Sequence, residues 1–352
     1  MTLEQTIKDI LPLDYEAMAR AKVHWDSLAK PLNGLGELEK LLIRIAGIRR
    51  SPSIDLRHKA VVVLCADNGV VAEGISQSGQ DVTKIITENL SNGTSTVCHM
   101  ARAAGADVIP VDIGVASEVE GDRILHRKVA YGTRNMAKEP VMTRAQAIRA
   151  IEIGIETAYW CQRQGYDIIA TGEMGIGNTT TTSAVVAALL HAPVELVTGR
   201  GSGLTTEGLH RKIQVISDAL ARWKPDQHDP IDILSKVGGF DLCGLTGLFL
   251  GSAACGLPAI VDGVISGAAA LCAARLCPTI RDYLIPSHHT AEPAGALLEQ
   301  ALDIHPILDA HMALGEGTGA VLMFGLLDAA ASLYCNGNTF DDSNIEAYQP
   351  LS

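Results

Sequence analysis

From residue 60 onward, short β-branched apolar runs alternate with segments of helical length, and this alternation restricts the possible fold more than any other feature. Ala60-Val61-Val62-Val63-Leu64-Cys65 is apolar on both faces, as a strand covered on both sides must be, and it stops at Ala66-Asp67-Asn68-Gly69. Residues 81–104 read as a helix, 107–114 as a second strand with Pro110 as a blemish, and 115–142 as irregular. A helix over 145–164 precedes a strand over 166–171, and further strands are expected near 231–237, at 259–262 and at 283–285. Parallel neighbours need long, right-handed crossovers, so repeated strand-helix-strand order predicts a doubly wound, mostly parallel α/β sheet.

Residues 3–50 differ. Asp14 to Ala21 offers a helix start, Leu38 to Ala46 has apolar residues at helical spacing, and Lys30-Pro31-Leu32-Asn33-Gly34-Leu35-Gly36 connects them. Ser51-Pro52-Ser53 ends this helical part. A formal net charge of -12 and a pI near 5.3 argue against a nucleic-acid partner, which rewards clustered Lys and Arg. The amino-terminal residues lack the basic-then-apolar order of a signal peptide. The apolar runs are broken before the roughly 18 residues of a membrane span, so a soluble, cytoplasmic protein is expected. The eight cysteines form no Cys-x-x-Cys pair and read as buried thiols, and neighbouring His288 and His289 would point to opposite faces of a strand, so no metal is expected.

In doubly wound sheets, ligands bind beyond the carboxyl ends of the strands. The polar residues that follow the expected strands are Asp67 and Asn68, Asp112, Glu173 with Asn178, and Asp262. Each reads equally as a cap or turn residue. Gly172 to Thr180 places Gly175, Gly177, Asn178 and Thr179 at a strand-to-helix turn suited to an anion, but it matches neither the Walker nor the dinucleotide spacing, which disfavours a dehydrogenase. Gly201-Ser202-Gly203, followed by Lys212, is a second glycine-rich turn with a cation nearby. Leu314-Gly315-Glu316-Gly317-Thr318-Gly319 sets a lone carboxylate between glycines. It reads either as a base or as a loop whose Glu favours the helix start that follows.

Several blocks in the same order resemble the nicotinate-nucleotide:dimethylbenzimidazole phosphoribosyltransferase family. They include Leu64-Cys65-Ala66-Asp67, Gly172 to Thr180, Leu234 to Asp241, Gly256-Leu257-Pro258 with Asp262-Gly263, Tyr283 to His288, and Leu314 to Ala320. The resemblance implies a Rossmann-like sheet in residues 56–319 and a small helical domain from both chain ends, 1–55 and 320–352. It also implies a homodimer, or a heterodimer with a paralogue. The implied reaction joins nicotinate mononucleotide to an aromatic lower-ligand base, with no cofactor. Glu316 matches the family's catalytic base. Glu173, Lys212 and Asp262 match residues lining the nucleotide and base site, and Met174, Thr290, Leu314 and Gly315 join them. Asn68 stands where the family has His, Ser78-Gly79 where it has Ser-Pro, and Ile86 where a Gln lines the base pocket, so the accepted base, a benzimidazole, purine or phenol, is left open. A non-catalytic partner subunit is the competing implication.

Overall fold

In the computed structural model, which describes residues 1–348, the chain begins with three helices, α1 (Leu3–Asp9), α2 (Tyr15–Ser27) and α3 (Glu37–Arg49). Asp14 caps α2 by accepting the Ala17 amide, and α3 stops where Arg50 turns left-handed. The α/β part then runs β1 (Lys59–Ala66), α4 (Asp81–Asn92), α5 (Thr96–Ala103), β2 (Ala106–Gly114), β3 (Leu125–His126), α6 (Arg144–Arg163), β4 (Ile168–Met174), α7 (Asn178–Leu190), α8 (Val194–Val197), α9 (Thr206–Trp223), α10 (Pro230–Val237), α11 (Phe240–Cys255), β5 (Ala259–Val261), α12 (Val264–Leu276), α13 (Ile280–Tyr283) and β6 (Leu284–Pro286). It finishes with β7 (His288–Thr290), α14 (Gly295–Leu302), β8 (Leu308–Met312), α15 (Thr318–Asn336) and α16 (Phe340–Ser343).

The main sheet has six strands in the order β3-β2-β1-β4-β5-β6, and every adjacent pair is parallel. The chain reverses its direction of travel across the sheet between β1 and β4, which opens a crevice at their carboxyl ends. β1 is buried along its whole length, as its unbroken apolar run requires. Pro110 is tolerated in β2 because β3 pairs with that strand only at Val111 and Asp112.

Three expectations are corrected, and one small sheet was not anticipated. Residues 231–237 are not a strand but α10, because Asp229 accepts the Ile231 and Asp232 amides and Pro230 occupies the first turn. The helix expected over 81–104 is two, broken where Gly93 turns left-handed before Ser95. β7 and β8 form a small parallel sheet that no alternation of polarity announced. Of the cysteines, Cys335 is exposed and Cys255 half-buried.

Helix α15 is long and apolar enough to cross a membrane by those two measures. Here half of it is buried in the fold, where it packs on α3, α5 and β4, and its Asp328 accepts from Lys59 Nζ at 2.7 Å. The two chain ends meet: Leu28 bridges to Thr339, and the Trp25 and Tyr334 rings lie 5.1 Å apart. Residues 349–352 of the expected terminal segment lie outside the described residues.

Glycines let α6 and α11 approach backbone to backbone. A side-chain carbon at Gly154 would lie 1.9 Å from the Gly244 carbonyl oxygen, and one at Gly247 would lie 1.8 Å from that of Ile151. Because α11 is apolar all round and buried along nearly its full length, neither helix can yield without disturbing the sheet above it. Gly247→Ala should therefore cost about 1–3 kcal/mol in a denaturant titration, typical of overpacking. An unchanged midpoint would show that the two helices can separate freely.

Candidate active site

The carboxyl ends of β4 and β5, the turn before α9, β7 and the turn before α15 enclose a cavity of about 210 Å³. A larger cleft of about 410 Å³, lined by Arg49, Asp167 and Tyr283 among others, holds no such convergence of carboxyl groups. The smaller cavity is thus the chemical candidate.

The turn before α15 is built around three consecutive left-handed residues, Gly315 (φ 94°), Glu316 (φ 58°) and Gly317 (φ 89°). Glycine takes this conformation at no steric cost, whereas Glu316 is held in it by its neighbours. Gly172 supplies part of that hold. A side-chain carbon there would lie 2.4 Å from the Glu316 carbonyl oxygen, so the turn rests directly on β4. Asp262 supplies the rest: its Oδ1 accepts the Ala320 amide at 2.9 Å, in the first turn of α15. The Glu316 side chain reaches another helix start, with Oε2 accepting the Val97 amide of α5 at 3.1 Å. The loop reading had the right interaction and the wrong helix. No hydrogen bond reaches Oε1 among the described residues, which leaves that oxygen for a ligand.

Glu173, one residue before the end of β4, lies beside Gly315 and accepts from the Asn178 side-chain amide. Burial pushes its carboxyl up to about 8, with Asp241 and Asp262 adding to the shift. Burial likewise raises Asp262 to about 6, against the pull of backbone amides at 317, 319, 320 and 263. The cavity therefore mixes protonated and ionised carboxyls near neutral pH.

On the far wall, Lys212 of α9 lies buried beneath the second glycine turn. Its Nζ donates to Thr179 Oγ1 at 2.9 Å and to the Gly199 carbonyl at 3.1 Å. Burial lowers its pKa to about 8. Gly201, Ser202, Asn178 and Thr179 line the cavity above it.

Of the residues expected from sequence, Glu173, Met174, Gly175, Asn178, Thr179, Gly201, Ser202, Asp262, Thr290, Leu314, Gly315 and Glu316 come together on its walls. Gly177 lines an adjoining hollow of about 40 Å³. Gly203 lies outside both, and its carbonyl accepts from Gln77. Ser78 and Ile86 are not brought to the cavity. Both are half-buried, and Ile86 packs against the apolar core from α4. Asp67, Asn68 and Asp112 are buried behind the site: Asp67 accepts the Ala116 amide at 2.8 Å, and Asp112 pairs with Lys128 at 3.0 Å.

One wall residue, Glu292, carried no sequence signal, and another, His288, lay in a matching block without being assigned to the site. Glu292 faces the cavity from an exposed segment with no motif around it. His288, in one of the matching blocks, packs against Gly319 and bonds Ser287 Oγ through Nδ1 at 3.0 Å, and burial lowers its pKa. Among the described residues, no cluster of three His, Cys, Asp or Glu side chains could hold a metal ion.

A family model described as "Phosphoribosyltransferase" matches residues 10–345. The nicotinate-nucleotide–dimethylbenzimidazole phosphoribosyltransferase of Acetivibrio thermocellus is 47% identical over 350 residues, covering 99% of each chain. That of Clostridium acetobutylicum is 43% identical over 351 residues, covering 100% of each. A crystal structure of the enzyme of that name from Thermus thermophilus superposes with a TM-score of 0.88 at 40% identity, covering 95% of this chain and 99% of that one.

The raised carboxyl of Glu173 has a consequence for stability. Between the ordinary value of 4.5 and about 8, the folded chain keeps a proton that the unfolded chain has lost, so this group makes stability fall as pH rises through that window. Glu173→Gln removes the dependence. Relative to the parent, the variant should gain stability from about pH 5 to about pH 8 and then level off, read by denaturant titration across that range. A difference constant with pH would place the Glu173 proton elsewhere.

Proposed function

The chain belongs to the nicotinate-nucleotide–dimethylbenzimidazole phosphoribosyltransferase family, and from that premise we propose how its residues divide the work of phosphoribosyl transfer to a cobalamin lower-ligand base. The observation that carries the assignment is the left-handed Gly315-Glu316-Gly317 turn, which sets one carboxylate oxygen, unbonded among the described residues, at the cavity wall, opposite the Lys212 turn.

In this reading, the phosphate of nicotinate mononucleotide sits at the Lys212 end, on the Gly201-Ser202 turn and the start of α7. The ribose then lies toward the carboxyl groups. A nitrogen of the base attacks the anomeric carbon, a new N–C bond forms, and the bond to the pyridinium nitrogen breaks with its electron pair, releasing nicotinate. Glu316 takes the proton from the second ring nitrogen, without which the product ring would remain cationic. The ionised carboxylates also stabilise positive charge developing on the sugar, as in other glycosyl transfers. Glu173, protonated below about pH 8, donates a hydrogen bond that orients the nucleophile. Asp262 acts by fastening the turn that carries Glu316.

5,6-Dimethylbenzimidazole is the base assigned first. Purines and phenols are the alternatives, and a phenol would lose its proton to the same Glu316. The family resemblance also supports a cytoplasmic homodimer, with pairing to a paralogue as the alternative, and a small helical domain of residues 1–55 and 320–352 beside the α/β domain of 56–319.

Two substitutions separate the assigned roles. Glu316→Gln should slow α-ribotide formation by roughly 10²–10⁴-fold, the usual range for a general base, with little change in nucleotide affinity. Lys212→Ala should mainly weaken nucleotide binding. Both are read by mass spectrometry of product and by calorimetry with nicotinate mononucleotide, against a panel of dimethylbenzimidazole, adenine and p-cresol. Equal loss of nucleotide affinity in both variants would contradict the division of labour.

A further inference from the structure

Glu292 lies on the segment between β7 and α14, and its side chain forms part of the cavity wall that also holds Thr179, Gly201 and Ser202. Its carboxylate is set against Gly199: a side-chain carbon at that glycine would lie 2.0 Å from Oε2. The Gly199 carbonyl accepts from Lys212 Nζ at 3.1 Å, so carboxylate and ammonium meet the same residue. Lys212 is 1% exposed, and Glu292 is the acidic group whose charge acts on it. The rest of the wall adds the carboxyls of Glu173, Asp262 and Glu316, and among the described residues neither Lys nor Arg lines it. An anion entering here meets no basic side chain on the wall itself; the ammonium of Lys212 lies buried beneath it, under the influence of the Glu292 charge.

We propose that Glu292 is the resident counter-anion of the Lys212 subsite and that the nucleotide phosphate must displace it, which makes Glu292 a determinant of affinity for phosphorylated ligands. The proposal rests on reading the Lys212 turn as the phosphate subsite. Its physical basis is that a buried ammonium is costly without a partner. A phosphate monoester, carrying nearly two charges, cannot share a small, partly desolvated space with a carboxylate. Glu292 is half-buried with exposed neighbours Ala291 and Pro293, so its side chain has solvent to turn into. Glu292 thus keeps Lys212 compensated in the empty site and opposes the phosphate until it moves.

The test is calorimetric binding of nicotinate mononucleotide and of nicotinate riboside, which lacks the phosphate, to the parent chain and to Glu292→Gln. Glu195→Gln removes the same charge from an exposed position on α8 and serves as the control. The variant should bind the nucleotide roughly tenfold more tightly at low ionic strength, less so as salt rises, with riboside affinity unchanged and no comparable gain in the control. Unchanged or weaker nucleotide binding would overturn the proposal, since Glu292 would then be neutral or a ligand in its own right. Equal tightening for the riboside would also overturn it. If the parent chain binds nucleotide and riboside equally, the phosphate subsite itself is wrongly placed and the proposal falls with it. If the parent prefers the nucleotide but Glu292→Gln changes nothing, only the role of Glu292 falls.

Discussion

Asp262 directly follows β5 with its carboxylate turned into the first turn of α15, where Oδ1 accepts the Ala320 amide at 2.9 Å. A buried carboxylate at a helix start gains from unsatisfied amides and from the helix dipole, and loses by desolvation. Here desolvation prevails enough to raise its pKa to about 6. What the arrangement secures is position. One sheet strand and one helix are tied at the point where the chain must pass through three left-handed residues, and the second of them is Glu316. Gly172 completes the seat, since a side chain there would collide with the Glu316 backbone. The strained residue is therefore held by the sheet itself, as strain at a site requires.

The same packing sets the electrostatics. The sheet centre is dry, so carboxyls at its edge lose hydration before they find partners. Glu173 responds by holding its proton to about pH 8, while Glu316 keeps one oxygen on the α5 amide and one toward the cavity. A protonated Glu173 can donate a hydrogen bond where an ionised carboxylate could only accept one. The ammonium of Lys212 lies under the opposite wall, on α9, so the cavity carries a gradient of charge along its length. A substrate with a phosphate at one end and a ring that becomes cationic during reaction at the other matches that gradient.

Much of this was legible in the residues. The unbroken apolar run of β1 could only belong to a sheet covered on both faces, and the polar residues after β4 and β5 did converge on one cavity. The strand expected at 231–237 failed because periodicity in a short apolar run does not separate strand from helix, and the deciding cap, Asp229 before Pro230, lay just outside the run. Asp67 and Asn68 also follow a strand, and Asp112 lies near the end of one, yet all three are buried away from the cavity. Position at a strand end does not say whether a side chain turns toward the crevice or beneath it. Glu292 and the β7-β8 pair had no local signal, since both depend on long-range packing. The resemblance between blocks, spread over nearly the whole chain, reached further than any single motif.

If Asp262 acts through the turn that carries Glu316, the two residues cannot contribute independently. The decisive experiment is a double-mutant cycle on the rate of α-ribotide formation, using Asp262→Ala, Glu316→Gln and the pair, with each variant checked for folding by calorimetry. Asp262→Ala should slow the parent enzyme markedly and slow the Glu316→Gln enzyme little further, because the group it positions is already gone. Losses that simply multiply would mean that Asp262 serves the reaction by another route, and that the turn holds Glu316 without it.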